Sequence, residues 1–289
     1  MDTSLPTERI ATFSIAATDG VDWGVAVASK FLAAGSVVPA AASGVGAIAT
    51  QAMGNTSYKT EGLRLLREGA SAASVVEMLT EADPERAHRQ LGVVDRTGQA
   101  ASYTGSACFD WAGSKTGPGF TCQGNILTGP EVVDAMAASF EASSGPLAGR
   151  LLESLRAGDH SGGDSRGRQS AALLVVRSGA GYGGFDDRMM DLRVDDHPQP
   201  IPELERLVRL WRLHFETPNV AEMIPIDDKV LKLLRSGLER RGRLSGAVSD
   251  EQVLDAFQRW AGMENLEERC TSRKLVDPLV LSALADAAG

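Results

Sequence analysis

The stretches 12–17 (TFSIAA) and 23–29 (WGVAVAS) decide how this chain folds. Both are short and apolar and contain β-branched residues, and Asp19-Gly20 lies between them, which is the pattern of two strands joined by a tight turn. Residues 45–51 (VGAIATQ), bounded by glycines, are predicted as a third strand. Hairpin-like connections of this kind indicate antiparallel pairing rather than a βαβ repeat.

Helical spacing and strand patterns then alternate along the chain. Paired helices are predicted at 62–67 and 72–81 and again at 130–143 and 147–157, while further strands are predicted at 90–94, 100–104, 170–177 and 189–194. The order is strands, paired helices, strands, paired helices, strands. Two sheets covered by helices fit that order, so the predicted fold class is α+β.

A proline-rich segment marks a predicted domain boundary. Three prolines fall within five residues, Pro198, Pro200 and Pro202, and we interpret them as a stiff, extended link. The predicted parts are an N-terminal extension at 1–11, an α+β domain at 12–197, the link at 198–202 and a small all-α domain at 203–289. Four helices are predicted in the last part, at 203–215, 227–237, 250–262 and 278–287.

Composition excludes several classes of function. With 43% hydrophobic and 23% charged residues among 289, the chain has the balance of a soluble globular protein. Its net charge of -9 argues against nucleic acid as a partner, because phosphate binding needs a basic surface. The uncharged stretch 31–58 is interrupted by glycines and Pro39, so we expect no membrane span, and the mixed charges at the N-terminus lead us to expect no secretory signal. We expect a cytoplasmic protein.

Familiar cofactor and metal motifs are missing or out of context. Residues 44–49 match GxGxxA but open no helix, and the chain contains neither GxSxG nor HExxH. The four histidines are scattered, and the three cysteines are widely spaced without CxxC. We therefore expect no metal and no cofactor.

Polar side chains stand at the ends of the predicted strands, where binding sites usually form. They offer hydroxyl, amine, amide, carboxylate and guanidinium groups, and we expect the amine of Lys30 to be at least half-buried. For any one of them, turn chemistry or edge polarity is the competing interpretation. The candidate site residues are Thr12, Ser14, Ser29, Lys30, Gln51, Asn55, Gln123, Asn125, Asp164, Arg166, Arg168 and Gln169.

Residues 12–17, 24–31, 49–52, 123–127, 129–133 and 162–172 together resemble an uncharacterised bacterial family, domain of unknown function 1028. The resemblance is colinear and covers about residues 12–195. That family is classed with the N-terminal-nucleophile (Ntn) hydrolases, which implies an αββα four-layer sandwich and amide-bond hydrolysis. Residues 260–262 and 264–269 resemble a small domain labelled "putative peptidoglycan-binding", which implies a cell-wall fragment as a partner.

The resemblance also implies roles for individual residues. In Ntn hydrolases the first residue of the mature chain supplies both the nucleophile and, through its free α-amine, the base. The resemblance places this residue at Thr12, with Ser14 as a second hydroxyl and Lys30 as an electrostatic tuner. Gln123, Asn125 or nearby backbone N–H groups would stabilise the oxyanion, and Arg166 or Arg168 would anchor a substrate carboxylate.

One feature of the sequence conflicts with that mechanism. Eleven residues precede Thr12, so its nitrogen is a peptide amide, and removal of Met1 would expose only Asp2. Either the Ala11–Thr12 bond is cleaved, or another group such as Lys30 activates Thr12 or Ser14, or catalysis has been lost. The two hypotheses are a hydrolase of a small amide and a non-catalytic module that binds a small ligand or a cell-wall fragment. We also expect homo-oligomers, formed through a helical layer.

Overall fold

The computed structural model describes residues 12–270 and 272–285, so the predicted extension 1–11 lies outside the described residues. The strands are β1 (Thr12–Thr18), β2 (Trp23–Ser29), β3 (Pro39–Ala42), β4 (Gly46–Ala52), β5 (Arg89–Asp95), β6 (Ala100–Thr104), β7 (Gly113–Gly117), β8 (Phe120–Asn125), β9 (Ser170–Val176), β10 (Arg188–Val194), β11 (Ile224–Pro225) and β12 (Leu275–Val276). The helices are α1 (Ala34–Val37), α2 (Ser57–Arg67), α3 (Ala72–Glu81), α4 (Glu131–Ala142), α5 (Leu147–His160), α6 (Pro200–Phe215), α7 (Asp228–Arg240), α8 (Asp250–Met263) and α9 (Pro278–Ala285). The fold is mixed α+β with a helical C-terminal region, as predicted.

The chain divides into two compact units, with the division between Leu207 and Val208. The extended link expected at residues 198–202 is wrong from Pro200 onwards, because α6 begins at that proline. A proline in the first helical turn needs no N–H partner there and already has a helical φ angle. Proline at this point therefore starts a helix instead of extending the chain.

The larger sheet has the strand order β10-β9-β2-β1-β8-β7, and each neighbouring pair is antiparallel. The predicted pairing of the first two strands is confirmed, with Thr12 opposite Ser29 and Thr18 opposite Trp23. Every residue of β1 and β2 is buried, since the sheet is covered on both faces. The β7–β8 hairpin was not predicted, although β8 is fully buried beside β1.

The smaller sheet has the order β3-β4-β5-β6 and packs against α2 and α3, while α4 and α5 pack against the larger sheet. The two sheets pack against each other, with their most extensive contacts between β1 and β4, β8 and β5, β2 and β3, and β7 and β6. Their shared apolar core contains small side chains that allow close approach, among them Ala16, Val25, Val27, Ala47, Ala49 and Val94.

The C-terminal unit is built mainly from α7, α8 and α9, which enclose a core centred on Leu234, Phe257 and Trp260. Helix α8 starts with a capping box in which Ser249 and Gln252 satisfy each other's backbone N–H groups. No helix among residues 12–270 and 272–285 has both the length and the apolar character that crossing a bilayer requires.

Candidate functional site

A row of four polar residues crosses one end of the larger sheet. Ser170 of β9 lies opposite Ser29 of β2, Ser29 lies opposite Thr12 of β1, and Thr12 lies opposite Asn125 of β8. All four are buried. Directly opposed residues on antiparallel strands point to the same face, with Cβ atoms about 4.5–5.5 Å apart. Strand register therefore gathers three hydroxyls and an amide at one place.

The row faces the smaller sheet, whose strands β4 and β5 contribute two buried glutamines. Gln51 Nε2 donates to Gln90 Oε1 at 2.8 Å and to the carbonyl oxygen of Thr12 at 3.2 Å. Asn125 Nδ2 donates to the same Gln90 oxygen at 3.1 Å. These amides therefore bridge the two sheets directly beneath the polar row and satisfy each other in a place that excludes water.

Ser14 lies one step further along β1 and is fully engaged in this amide network. Its Oγ donates to Gln51 Oε1 at 2.5 Å and accepts from Gln123 Nε2 at 2.6 Å. Thr12 is held less tightly, because among the described residues its Oγ1 has one hydrogen-bond partner, Ser29 Oγ at 3.2 Å, and either hydroxyl can donate. Of the two candidate hydroxyls on β1, that of Thr12 therefore makes fewer and longer hydrogen bonds than that of Ser14.

The side chain of Lys30 is not buried, in contrast to the expectation from the sequence. It is exposed, and its Nζ donates to the carbonyl oxygen of Arg168 at 3.3 Å. Its backbone N–H donates to the buried Asp164 carboxylate at 2.7 Å. The strand ends at Ser29, and the following turn directs the Lys30 side chain towards the 161–169 loop, so the prediction of a buried amine is wrong.

The loop 161–169 is organised around Asp164. Arg166 donates to this carboxylate through its backbone N–H and its guanidinium and also reaches the carbonyl oxygen of Lys30 at 3.1 Å. Arg168 Nε donates to Asp159 at 2.6 Å, and Gln169 Nε2 donates to Asp196 at 3.1 Å. The hydrogen bond that Arg168 donates to the Asp159 carboxylate raises the pKa of Arg168. These predicted substrate-binding residues already have partners within the protein.

Asn55 belongs to a second cluster, centred on the buried Asp83. Asn55, Tyr58 and Arg89 all donate to Asp83 Oδ2, at 3.1, 2.8 and 3.0 Å. Burial acts to raise the pKa of Asp83, but these hydrogen bonds outweigh it and hold the pKa well below the usual range. Burial and the Asp83 hydrogen bond raise the pKa of Tyr58. The cluster fixes the segment that follows β4.

The backbone is unusual at the ends of two of these strands and in the turn that follows β2. Ala52, directly after Gln51, has φ 64°, Ile126, directly after Asn125, has φ 52°, and Ala33 has φ 54°. Positive φ is costly for a side chain with a Cβ, above all for β-branched isoleucine. Such strain is concentrated at functional sites in proteins, and here it adjoins the two amides of the network.

A small cavity opens beside Asn125. It has room for roughly one water-sized group. It is lined, besides Asn125, by Ala52, Met53, His88, Ala107, Cys108 and Phe109. Since Asn125 and Thr12 are cross-strand neighbours, the cavity lies one strand away from the threonine hydroxyl.

Sequence reasoning missed Gln90 and Ser170 as members of the site. Gln90 opens an apolar strand and pairs with Gln51, so a polar residue at a strand start was the available signal. Ser170 Oγ donates to the carbonyl oxygen of Phe31 at 2.6 Å, which ties β9 to the turn after β2. In the described part of the chain no cluster of three or more His, Cys, Asp or Glu side chains is arranged to hold a metal ion.

Comparison with known proteins identifies the family. Residues 12–204 match the model of a family of unknown function, DUF1028. The chain belongs to this family. The DUF1028 match contains the whole polar row and the amide network, so the site lies entirely within the family's domain.

The DUF1028 assignment is supported by a solved structure, and a second domain follows it. The crystal structure of protein SPO2555 from Silicibacter pomeroyi, a DUF1028 protein, is 35% identical, covers 70% of this chain and 89% of its own, and superposes with a TM-score of 0.63. Residues 214–284 match the family described as "Putative peptidoglycan binding domain". No curated protein matches the chain.

Proposed function

We propose that this chain is an Ntn-type hydrolase that cleaves an amide bond of a small substrate, with Thr12 as nucleophile. The observation that carries the proposal is the buried row of Ser170, Ser29, Thr12 and Asn125, which brings a loosely held threonine hydroxyl next to amide donors at the end of a central strand. Two sheets in contact, each with its own helix pair, support the αββα sandwich of that class of hydrolases.

The mechanism requires cleavage of the Ala11–Thr12 bond, which frees the α-amine of Thr12. The Thr12 Oγ1 proton then passes to this amine while Oγ1 attacks the substrate carbonyl carbon. The C–N bond breaks, and the leaving amine takes the proton from the α-ammonium. Water hydrolyses the resulting ester, which releases the acid and restores the hydroxyl. An α-amine with an unperturbed pKa of about 8 suits this role at neutral pH.

Asn125 is the better of the two predicted oxyanion donors. Gln123 Nε2 donates to both the carbonyl oxygen and the Oγ of Ser14, so its two N–H groups are used. Asn125 Nδ2 donates to Gln90 Oε1 and has a second N–H, on the residue directly opposite Thr12. We assign the oxyanion contact to that N–H, whose loss would slow the reaction on the order of 10²–10³-fold.

Ser14 and Lys30 have supporting roles in this proposal. Both oxygen functions of the Ser14 hydroxyl, donor and acceptor, are used in the amide network, so we assign it to positioning β1. Lys30 acts through its backbone N–H, which anchors Asp164 and the loop beside the site.

The first test is an intact mass of the freshly purified protein, with N-terminal sequencing of every species. We expect a chain that begins at Thr12, and we expect it to release nitroaniline from a panel of short-chain N-acyl p-nitroanilides. Thr12→Ala should abolish the release, and Thr12→Ser should retain part of it because a hydroxyl remains. A folded chain that keeps residues 1–11, or a Thr12→Ala variant as active as the wild type, would contradict the mechanism.

A second candidate function concerns residues 214–284 alone. Their match to the peptidoglycan-binding family favours binding of a cell-wall fragment by the C-terminal unit. Co-sedimentation of the full chain with insoluble peptidoglycan is expected, and it should compete with soluble muropeptides. A chain that stays in the supernatant at every peptidoglycan concentration argues against this function.

A further inference from the structure

The cavity beside Asn125 has walls that come from three separate segments. Ala52 ends β4 and Met53 follows it, His88 precedes β5, and Ala107, Cys108 and Phe109 follow β6. These wall residues include no Asp, Glu, Lys or Arg, and besides His88 they are alanine, methionine, cysteine and phenylalanine. Such a lining favours an uncharged group.

Main-chain hydrogen bonds hold the walls to each other. Met53 N–H donates to the carbonyl oxygen of His88 at 3.2 Å, and Ala107 N–H donates to that of Ala87 at 2.8 Å. Ile126 N–H donates to the carbonyl oxygen of Phe109 at 3.0 Å, which fastens the third segment to the end of β8. The Arg89 guanidinium also donates to the carbonyl oxygen of Met53, at 2.5 Å. The cavity is therefore preformed, and its size is set before any ligand arrives.

The position of the cavity decides which part of a substrate it meets. If Asn125 holds the carbonyl oxygen and Thr12 attacks the carbonyl carbon, the substituent on that carbon lies within a bond or two of Asn125. We propose that this cavity receives the acyl substituent of the substrate and restricts it to a small uncharged group of about methyl size, so that the enzyme transfers acetyl-like groups to Thr12. The inference rests on the proposed hydrolase function.

The test measures acylation of Thr12 in the processed full chain by p-nitrophenyl esters of acetate, butyrate and benzoate. Thr12 Oγ1 forms an ester with the acyl carbon, the bond to p-nitrophenolate breaks, and the hydroxyl proton goes to the α-amine. Rates are divided by the spontaneous hydrolysis rate of each ester, and the adduct is located by peptide mass spectrometry. We expect acetate to react at least tenfold faster than butyrate, and benzoate to react slowest.

Two variants separate the cavity from the general chemistry. Met53→Ala removes part of a wall and should lower the acetate-to-butyrate ratio at least fivefold. Met78→Ala makes the same substitution on the exposed face of α3 and should leave the ratio unchanged. If Thr12 is acylated at equal rates by all three esters, the inference is overturned but the proposed function is not. The same holds if Met53→Ala leaves the acetate-to-butyrate ratio unchanged. No adduct on Thr12 with any ester overturns the proposed function and this inference together.

A chemical modification gives a second readout in the unmutated protein. Methyl methanethiosulfonate transfers a methylthio group to the Cys108 sulfur and releases methanesulfinate, while the thiol proton goes to buffer. Burial raises the pKa of the Cys108 thiol, so the reaction needs long incubation. The added group should fill the cavity and slow acylation by acetate at least tenfold, and dithiothreitol should restore the rate. Modified Cys108 with an unchanged rate overturns the inference, and Cys108→Ser should lose the response.

Discussion

Replacement of Ser14 by alanine tests whether this hydroxyl is structural or chemical. In the protein its Oγ donates to Gln51 and accepts from Gln123 in a fully buried place. Ser14→Ala leaves the Gln51 oxygen and one Gln123 N–H without a partner. Each such buried group costs about 1–3 kcal/mol, so the expected loss in the free energy of unfolding is about 2–6 kcal/mol.

Thr12→Ala should be the milder change in stability and the more severe one in chemistry. It removes one hydroxyl contact at 3.2 Å and one methyl group, which together are worth about 1–2 kcal/mol. The free energies of unfolding are measured by urea denaturation followed by circular dichroism. Acylation by p-nitrophenyl acetate is measured on the folded proteins. We expect Ser14→Ala to be acylated and Thr12→Ala to be inert.

Ser36→Ala is the matched control, because Ser36 is exposed and its Oγ makes one local bond, to the carbonyl oxygen of Ala33 at 2.8 Å. It should change the unfolding free energy by no more than about 0.5 kcal/mol. A Ser14→Ala protein as stable as this control would refute the reasoning about the amide network. A folded Ser14→Ala protein without acylation, beside an active Thr12→Ala protein, would make Ser14 the nucleophile.

Three further predictions concern other parts of the structure. Gly92→Ala places a Cβ 2.1 Å from Gln123 Oε1 and should destabilise the protein by about 1–3 kcal/mol in urea denaturation. The pKa of Asp83 is depressed on folding, so its contribution to stability is complete above the unfolded pKa of about 3.9 and is lost as the pH falls below it. In Asp83→Asn the urea concentration at the midpoint of unfolding should therefore fall less steeply with decreasing pH than in the wild type. Arg269→Met leaves the buried Asp277 carboxylate unpaired and should cost about 3–5 kcal/mol, seen as faster amide exchange in the helical unit.

Each of these has its own control or contrary result. Gly149→Ala, where a Cβ meets nothing within 4 Å on α5, should be neutral or stabilising by up to about 1 kcal/mol. Parallel pH curves for the wild type and Asp83→Asn from pH 5 down to pH 2 would exclude Asp83 as a source of acid sensitivity. Arg259→Met changes an exposed arginine on α8, and exchange as fast as in Arg269→Met would show that loss of any arginine there has the same effect.

The elements that sequence predicted well are those whose pattern is local. The turn at Asp19-Gly20 and the apolar runs on either side predict the β1–β2 pair, and the spacing of 72–81 predicts α3. Strand β8 was not predicted, because Gln123, Gly124 and Asn125 are residue types typical of loops, and only their hydrogen-bond partners show that they belong to a strand. Those partners are far away in the sequence, so the local sequence pattern gives no sign of them.

The candidate site was predicted in the same uneven way. Thr12, Ser14 and Gln51 were identified by their places at strand ends, and Asn125 by its polar side chain in an apolar, glycine-rich stretch; the structure brings the four together. Lys30 stands beside the same strand end, but the turn after β2 sends its amine outwards. Cavity residues such as Met53 and Cys108 had no chemical signal of their own, because their role comes only from where three segments meet.

The way the cavity walls are fastened has a consequence for how the protein can evolve. The bonds that join the wall segments, such as those from Met53 to His88 and from Ala107 to Ala87, run between backbone atoms and so do not depend on which side chains are present. Substitutions at 107–109 therefore alter the shape of the cavity without breaking the hydrogen bonds that hold this segment in place. The polar row with Thr12 stays fixed by the register of its strands. A library randomised at those three positions is the natural starting point for selecting variants with new substrate preferences.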